Sequence, residues 1–268
     1  MVDVADQARR GARGGTFVGV DFRATLLGET RALGDVIRNA DPETPVPSCP
    51  GWTMNQLLKH VGRGHRWSAQ IIAERRLEPL DPREVRGGKP PEDPDGAIDW
   101  LNGGAQLVID AVNRVGAEFK VWTFIGPRPA GWWIRRRVHE ATVHRADAVL
   151  ALGGDFEVAA ELAADCISEW IDLAILGADP HAPPLRRGLT LHLHATDAGL
   201  GPTGEWTITH DEDGLQWSHD HTKGETAVRG RAVDLLLVVT RRRSTAEAGV
   251  EVLGDAAIWD AWLSRTPF

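Results

Sequence analysis

At 268 residues and 42% apolar, the chain is long enough for one large or two ordinary domains with real hydrophobic cores. A net charge of -8 argues against a nucleic-acid binder, which needs a basic stripe, and no apolar stretch nears the ~20 residues that span a bilayer. Two cysteines, Cys49 and Cys166, fit a reducing compartment rather than a disulfide framework, so composition predicts a globular cytoplasmic protein.

Residues 1–18 read as a frayed tail containing Gly and Arg, with no apolar run to make a signal peptide. Residues 21–39 repeat Leu26, Leu27, Leu33, Val36 and Ile37 at helical spacing. In residues 41–51 the prolines Pro42, Pro45, Pro47 and Pro50 forbid a helix, which predicts a strap or linker with Trp52 as its anchor. Thr53 and Gln56 form a capping-box pattern that opens a second helix running to about Arg75. Leu57, His60, Gly64, Trp67 and Ile71 share one stripe of that helix, which turns His60 inward among apolar neighbours.

Residues 77–94 are rich in Pro, Gly and charge and read as a loop. Residues 95–115 form a third helix, weakened by Gly103-Gly104. Residues 119–131 connect it to a fourth, residues 132–152, which Gly153-Gly154 ends. These two connections are expected to shape the mouth of a pocket. Asp155 is the expected cap of a fifth helix reaching Leu176, with Cys166 as a small core residue on its apolar face.

Composition changes at the Pro-rich residues 177–187. Beyond them Leu189, Leu191 and Leu193 alternate with Thr190, His192 and His194, the pattern of a half-buried strand. Trp206 and Ile208 repeat the alternation, and Asp213-Gly214 turns the chain into a return strand carrying Leu215 and Trp217. A short strand at 226–230, a buried helix at 231–241, a strand at 250–253 and a last helix capped by Asp255 complete the chain. The expected fold class is α+β: a tail (1–18), a helical bundle (19–177) and a small α/β domain (178–268).

The chemistry concentrates in the fourth helix. Glu140 and His144 lie four residues apart, on one face and one turn apart, a spacing at which a carboxylate and an imidazole can grip one divalent metal. His139 lies five residues before His144, about 140° around the helix, so the string is HExxxH and the zinc-protease reading does not apply. A solvated charged pair is the plain alternative at this spacing. An inward His60 would supply a third ligand, although a lone inward His is more often a hydrogen-bonded core residue. His192 and His194, with His210, His219 and His221 nearby, form a pattern that can bind metal; the expectation is instead a solvated or inter-domain sheet face. Cys49 is expected to be structural.

Three pieces together resemble one family: residues 46–53 running into Leu57-Leu58-Lys59-His60-Val61, the string of residues 137–147, and Ala232-Val233-Asp234-Leu235-Leu236-Leu237 followed by Arg242-Arg243 and residues 252–257. In order and distance they are similar to the maleylpyruvate isomerase family of mycothiol-dependent enzymes. That resemblance implies a DinB-like four-helix bundle followed by a small sterol-carrier-like α/β domain. It implies a divalent metal, usually zinc, held by His60, Glu140 and His144, with a fourth position open. Asp147 and Arg145 are candidates for support behind those ligands. It further implies mycothiol as co-substrate, presented as a metal-bound thiolate to an electrophilic small molecule, in an isomerase or S-transferase reaction. Arg242 and Arg243 match the family's arginines and would hold a carboxylate of substrate or thiol; the alternative is a solvated basic helix end. Partners are then the thiol and the electrophile, with no nucleic acid and no membrane, and the protein a monomer or homodimer. A non-catalytic metal- or ligand-binding module of the same fold is the alternative function. A metal-dependent hydrolase using the same three ligands is a third.

Overall fold

The computed structural model describes residues 20–266; the tail expected at 1–18 lies outside the described residues. The chain divides into two compact units, one spanning Asp21–Phe156 and one that takes in Glu157–Phe268. Among the described residues no helix is long and apolar enough to cross a membrane.

The first unit is built on four helices: α1 (Phe22–Arg38), α2 (Met54–Ala73), α3 (Pro94–Val115) and α4 (Gly131–Ala151). Each starts or stops where its local chemistry dictates. Asp21 accepts from the backbone N–H groups of Arg23 and Ala24 at the head of α1. Gln56 Oε1 accepts from Thr53 N at 2.7 Å at the head of α2, the reach-back half of the expected capping box. Asp93 caps α3 through Gly96 N, with Pro94 in its first turn. Met54, Leu57, Leu58, Val61, Leu33, Ile98 and Leu101 meet in the core; burying each such side chain contributes about 1.5–3 kcal/mol.

Gly103-Gly104 does not weaken α3 into a break, for a packing reason. A Cβ at Gly104 would lie 3.0 Å from His65 Cβ and 2.7 Å from Arg66 Nη1. On the facing helix, a Cβ at Gly62 would overlap the Trp100 ring. The two glycines let α2 and α3 approach closely, which offsets their low helix propensity. Strands β1 (Lys120–Val121) and β2 (Arg128–Pro129) pair antiparallel in the connection before α4. Four of the eleven Trp residues, Trp67, Trp122, Trp132 and Trp133, cluster there. Trp67 meets Trp122 and Trp133 edge to face at 5.5 and 5.4 Å, and its Nε1 donates to Leu80 O, which ties the loop after α2 to the bundle.

The second unit holds α5 (Ala160–Leu176), β3 (Thr190–Ala195), β4 (Glu205–Asp211), β5 (Gly214–Ser218), β6 (Thr226–Gly230), α6 (Ala232–Val239), β7 (Glu251–Gly254) and α7 (Ala256–Arg265). The sheet order is β5-β4-β3-β6-β7. All neighbours are antiparallel except β3 and β6, which run parallel. The units divide after Phe156, not at the Pro-rich residues 177–187: α5 packs on α6 and belongs with the sheet. Nor does Asp155 cap α5, which begins at Ala160. The chain reaches it in non-helical conformation, with Phe156 buried beneath Arg145 at 4.5 Å. Trp206, Trp259 and Trp262 are the largest buried side chains of this unit, and Trp206 Nε1 donates to Ser168 Oγ on α5 at 2.9 Å.

Candidate metal centre

Helix α4 is buried on nearly every side, polar residues included: Arg137, His139, His144 and Asp147 are all at most 5% exposed. A buried polar group must be paired, and each pairing here has a purpose. Glu140 projects between α4 and α2. Its Oε2 lies 3.5 Å from His60 Nε2 and 3.4 Å from His144 Nε2. The ligand atoms of His60, Glu140 and His144 all fall within 4.8 Å of one another. Two ligands of a tetrahedral zinc stand about 3.3 Å apart, given bonds of about 2.0–2.1 Å, so the spacing of these atoms fits such an ion.

The carboxylate is divided between two duties. Arg136, one turn back, pairs with Oε1. That leaves Oε2 for the two imidazoles, with Arg137 Nη1 behind it at 3.7 Å. Burial raises the Glu140 carboxyl, but the charges and hydrogen bonds of Arg136, His144, His60 and Arg137 outweigh it and hold the group well below the usual carboxylate range. His144 is fixed from its other side, where Nδ1 meets Asp147 Oδ2 at 2.8 Å. That bond orients the ring and aims Nε2 at the site, as a carboxylate behind a metal-binding His does. Burial lowers the His144 pKa, yet Asp147, Cys49 and Glu140 raise it to about 10. His60 goes the other way: burial outweighs the pull of Glu140, and the charge on His144 lowers it further. The carboxylates of Glu140 and Asp147 thus make the locus favourable for a cation.

The Pro-rich segment closes one side. Pro45 and Thr53 bridge across it, and Val46 N donates to Trp52 O at 2.9 Å. Ser48 Oγ donates to Asp147 Oδ1 at 2.5 Å and Cys49 Sγ to Asp147 Oδ2 at 3.4 Å, so the expected structural role of Cys49 is to tie the strap to α4. Trp52 is an anchor and also a wall, with its ring 4.8 Å from that of His60 and 6.2 Å from that of His144.

Several expectations need correction. His60 does not face an apolar interior: its side chain is 43% exposed, which opens the site to solvent. The inward histidine of α2 is His65, fully buried and bonded to Thr30 and Arg137. Of the two residues expected to support the ligands, Asp147 bonds the His144 ring. Arg145 instead forms a two-bond pair with Glu29 at 2.9 and 3.2 Å. Arg242 and Arg243 lie in the turn after α6, in the second unit. Arg242 Nη1 donates to Thr240 O at 2.6 Å. Their neighbour Arg241 takes a left-handed backbone (φ 64°), and its guanidinium caps Val238 O, Leu263 O and Thr266 O. Sequence reasoning missed Arg136, Ser48 and Thr30. Arg136 alone had a local signal, four residues before Glu140.

Comparison with known proteins agrees with this architecture. The sequence matches the family described as "Mycothiol maleylpyruvate isomerase N-terminal domain" over residues 23–149, and the corresponding "MDMPI C-terminal domain" over residues 157–261. The break between the two matches falls where the structural units divide. Among solved structures, the mycothiol-dependent maleylpyruvate isomerase is similar, with TM-score 0.58 at 16% identity over 89% of this chain and 95% of that one. A histidine-to-alanine mutant of the same enzyme gives TM-score 0.58 at 15% identity with the same coverage. No curated protein matches the sequence. With both domains matched in order along most of its length, the chain belongs to the mycothiol maleylpyruvate isomerase family.

Proposed function

We propose that the protein is a metal-dependent isomerase or S-transferase that adds a low-molecular-weight thiol of the mycothiol type to an electrophilic small molecule. One observation carries the reading: His60 Nε2, Glu140 Oε2 and His144 Nε2 converge on a single point that is open to solvent at His60. Three protein ligands and an open side are what a catalytic metal site requires. Family membership supports the choice of thiol and reaction class, since the similar solved enzyme is a mycothiol-dependent maleylpyruvate isomerase.

His60, Glu140 and His144 would hold the cation, with zinc the ion that the family resemblance implies. When bound there, it supplies the charge that keeps a thiol deprotonated at neutral pH. This chain's residues do the rest. Asp147 keeps the His144 lone pair aimed inward, and Arg136 holds Glu140 Oε1 so that Oε2 does not swing away. The Trp52 ring lies against the two imidazoles and walls that side of the site. Isomerisation then needs a sulfur–carbon bond to form at one alkene carbon, rotation about the resulting single bond, and loss of the same sulfur to regenerate the thiol. In a transferase the adduct leaves unchanged. Arg242 and Arg243 are proposed to hold a carboxylate of thiol or substrate.

The test is elemental analysis beside turnover of maleylpyruvate with mycothiol. The parent chain is expected to hold metal and to lose both metal and activity in His60→Ala, Glu140→Ala and His144→Ala. A Glu140→Ala chain that keeps its metal and its thiol-dependent activity overturns the site.

A further inference from the structure

The second unit carries another convergence of imidazoles, distinct from the bundle site and independent of the function proposed above. His192 and His194 lie two apart on β3, hence on one face of the sheet. The register of the β3–β4 pair sets Glu205 directly opposite His194 and diagonal to His192. His221, in the segment after β5, folds back over the same point. Three rings thus surround one carboxylate: His192 Nε2 lies 2.7 Å from Oε2, while His194 Nδ1 and His221 Nδ1 lie 2.8 and 3.0 Å from Oε1.

The His-x-His face is only partly solvated: the His194 and His221 side chains are 30% and 73% exposed. His192 is 5% exposed and the Glu205 side chain 12%. The other two histidines of this stretch are absorbed by the fold: His210 Nδ1 bonds Leu185 O, and His219 Nδ1 bonds Glu205 O and packs on Trp217. The three at Glu205 bond no backbone group through the nitrogens that face the carboxylate.

We infer that His192, Glu205 and His221 form a second metal centre, one that takes a zinc-class divalent cation. Their ligand atoms lie within 4.8 Å of one another, the same condition the bundle site meets. Imidazole-rich donors select zinc, copper or nickel over magnesium or calcium, which want oxygen. His194, bonded to Oε1, is a positioning residue that fixes the carboxylate. The outer side opens into a cavity of about 550 Å³ lined by His194, Asp197, Glu205, Asp220, His221 and Arg229. A fourth position facing that cavity would take water or a small anion beside Arg229. Two of the ligands sit on central strands of the sheet, so the site is preorganised before any ion arrives.

The experiment is zinc stoichiometry of the full chain after loading and desalting, compared among the parent, His144→Ala, His221→Ala and the double variant. His221 has a side chain 73% exposed, so its replacement leaves the fold intact. The expected result is two zinc ions per parent chain, one in each single variant and none in the double. Equal zinc in the parent and His221→Ala overturns the second centre. One ion in the parent, lost in His221→Ala but kept in His144→Ala, upholds it while refuting the bundle site. Zinc is also expected to raise the melting temperature of His144→Ala and to leave that of the double variant unmoved; an equal rise in both overturns the inference.

Discussion

His65 makes the stability of the first unit depend on pH in a way that one substitution isolates. Arg137 Nε donates to His65 Nδ1 at 3.2 Å, so Nδ1 is an acceptor and the ring proton sits on Nε2, facing Thr30 Oγ1 at 3.1 Å. A second proton would have to enter at Nδ1, against a guanidinium, on a fully buried ring. Burial, then the charges of Arg137 and Arg66, hold the His65 pKa well below its ordinary 6.5. The folded pKa is depressed, so the unfolded chain takes up a proton below about pH 6.5 that the folded chain refuses. Stability from this group is complete above 6.5 and falls as pH drops, with a limiting slope of about 1.4 kcal/mol per pH unit. His65→Gln keeps an acceptor for Arg137 and a donor for Thr30 but has no proton to gain. Urea unfolding at steps from pH 7.5 to 5.0, in chelator so that metal binding does not intrude, should show the parent losing more stability than the variant below pH 6.5, by up to about 1.4 kcal/mol per pH unit. Parallel curves would refute both the tautomer and the burial argument.

Gly64→Ala is expected to destabilise the bundle by about 1–3 kcal/mol, because the new Cβ would lie 2.7 Å from the Arg137 guanidinium nitrogens; thermal melts measure it, and an unchanged midpoint counts against the packing. Asp147→Asn should weaken metal binding about 10–100-fold while leaving the fold intact, since it loosens the bond that aims His144; competition with a chromophoric chelator measures this, and unchanged affinity sinks the claim. Arg231→Ala should cost less than about 1 kcal/mol despite its close pair with Glu157, because both side chains are more than half exposed; a larger loss in denaturant melts would show that the pair matters more than its exposure allows.

Much of the fold was legible because its signals are local. The caps read at Gln56 and Asp255 act within three residues of themselves, and strand alternation at Leu191 and Leu193 is a property of one strand. The domain boundary was not legible from composition. Proline content marks where a helix cannot continue, but α5 joins the second unit because its apolar face meets α6, a contact between residues some sixty positions apart. The same limit hid the use of Gly104, whose cost to α3 is local and whose gain lies on α2.

The two proposed metal loci differ in legibility for the same reason. Glu140 and His144 sit one turn apart on a single helix, so helical geometry alone brings their ligand atoms together, and only His60 had to come from elsewhere. At the sheet, His192 and His194 were visible as a pair but their carboxylate was not. Glu205 reaches them only through the β3–β4 register, which aligns it with His194. A slip of one residue would send its side chain to the opposite face and dissolve the cluster. A helix therefore announces such a donor cluster in sequence spacing, whereas a sheet stores it in pairing. Ligand searches that read spacing alone find the first kind and pass over the second.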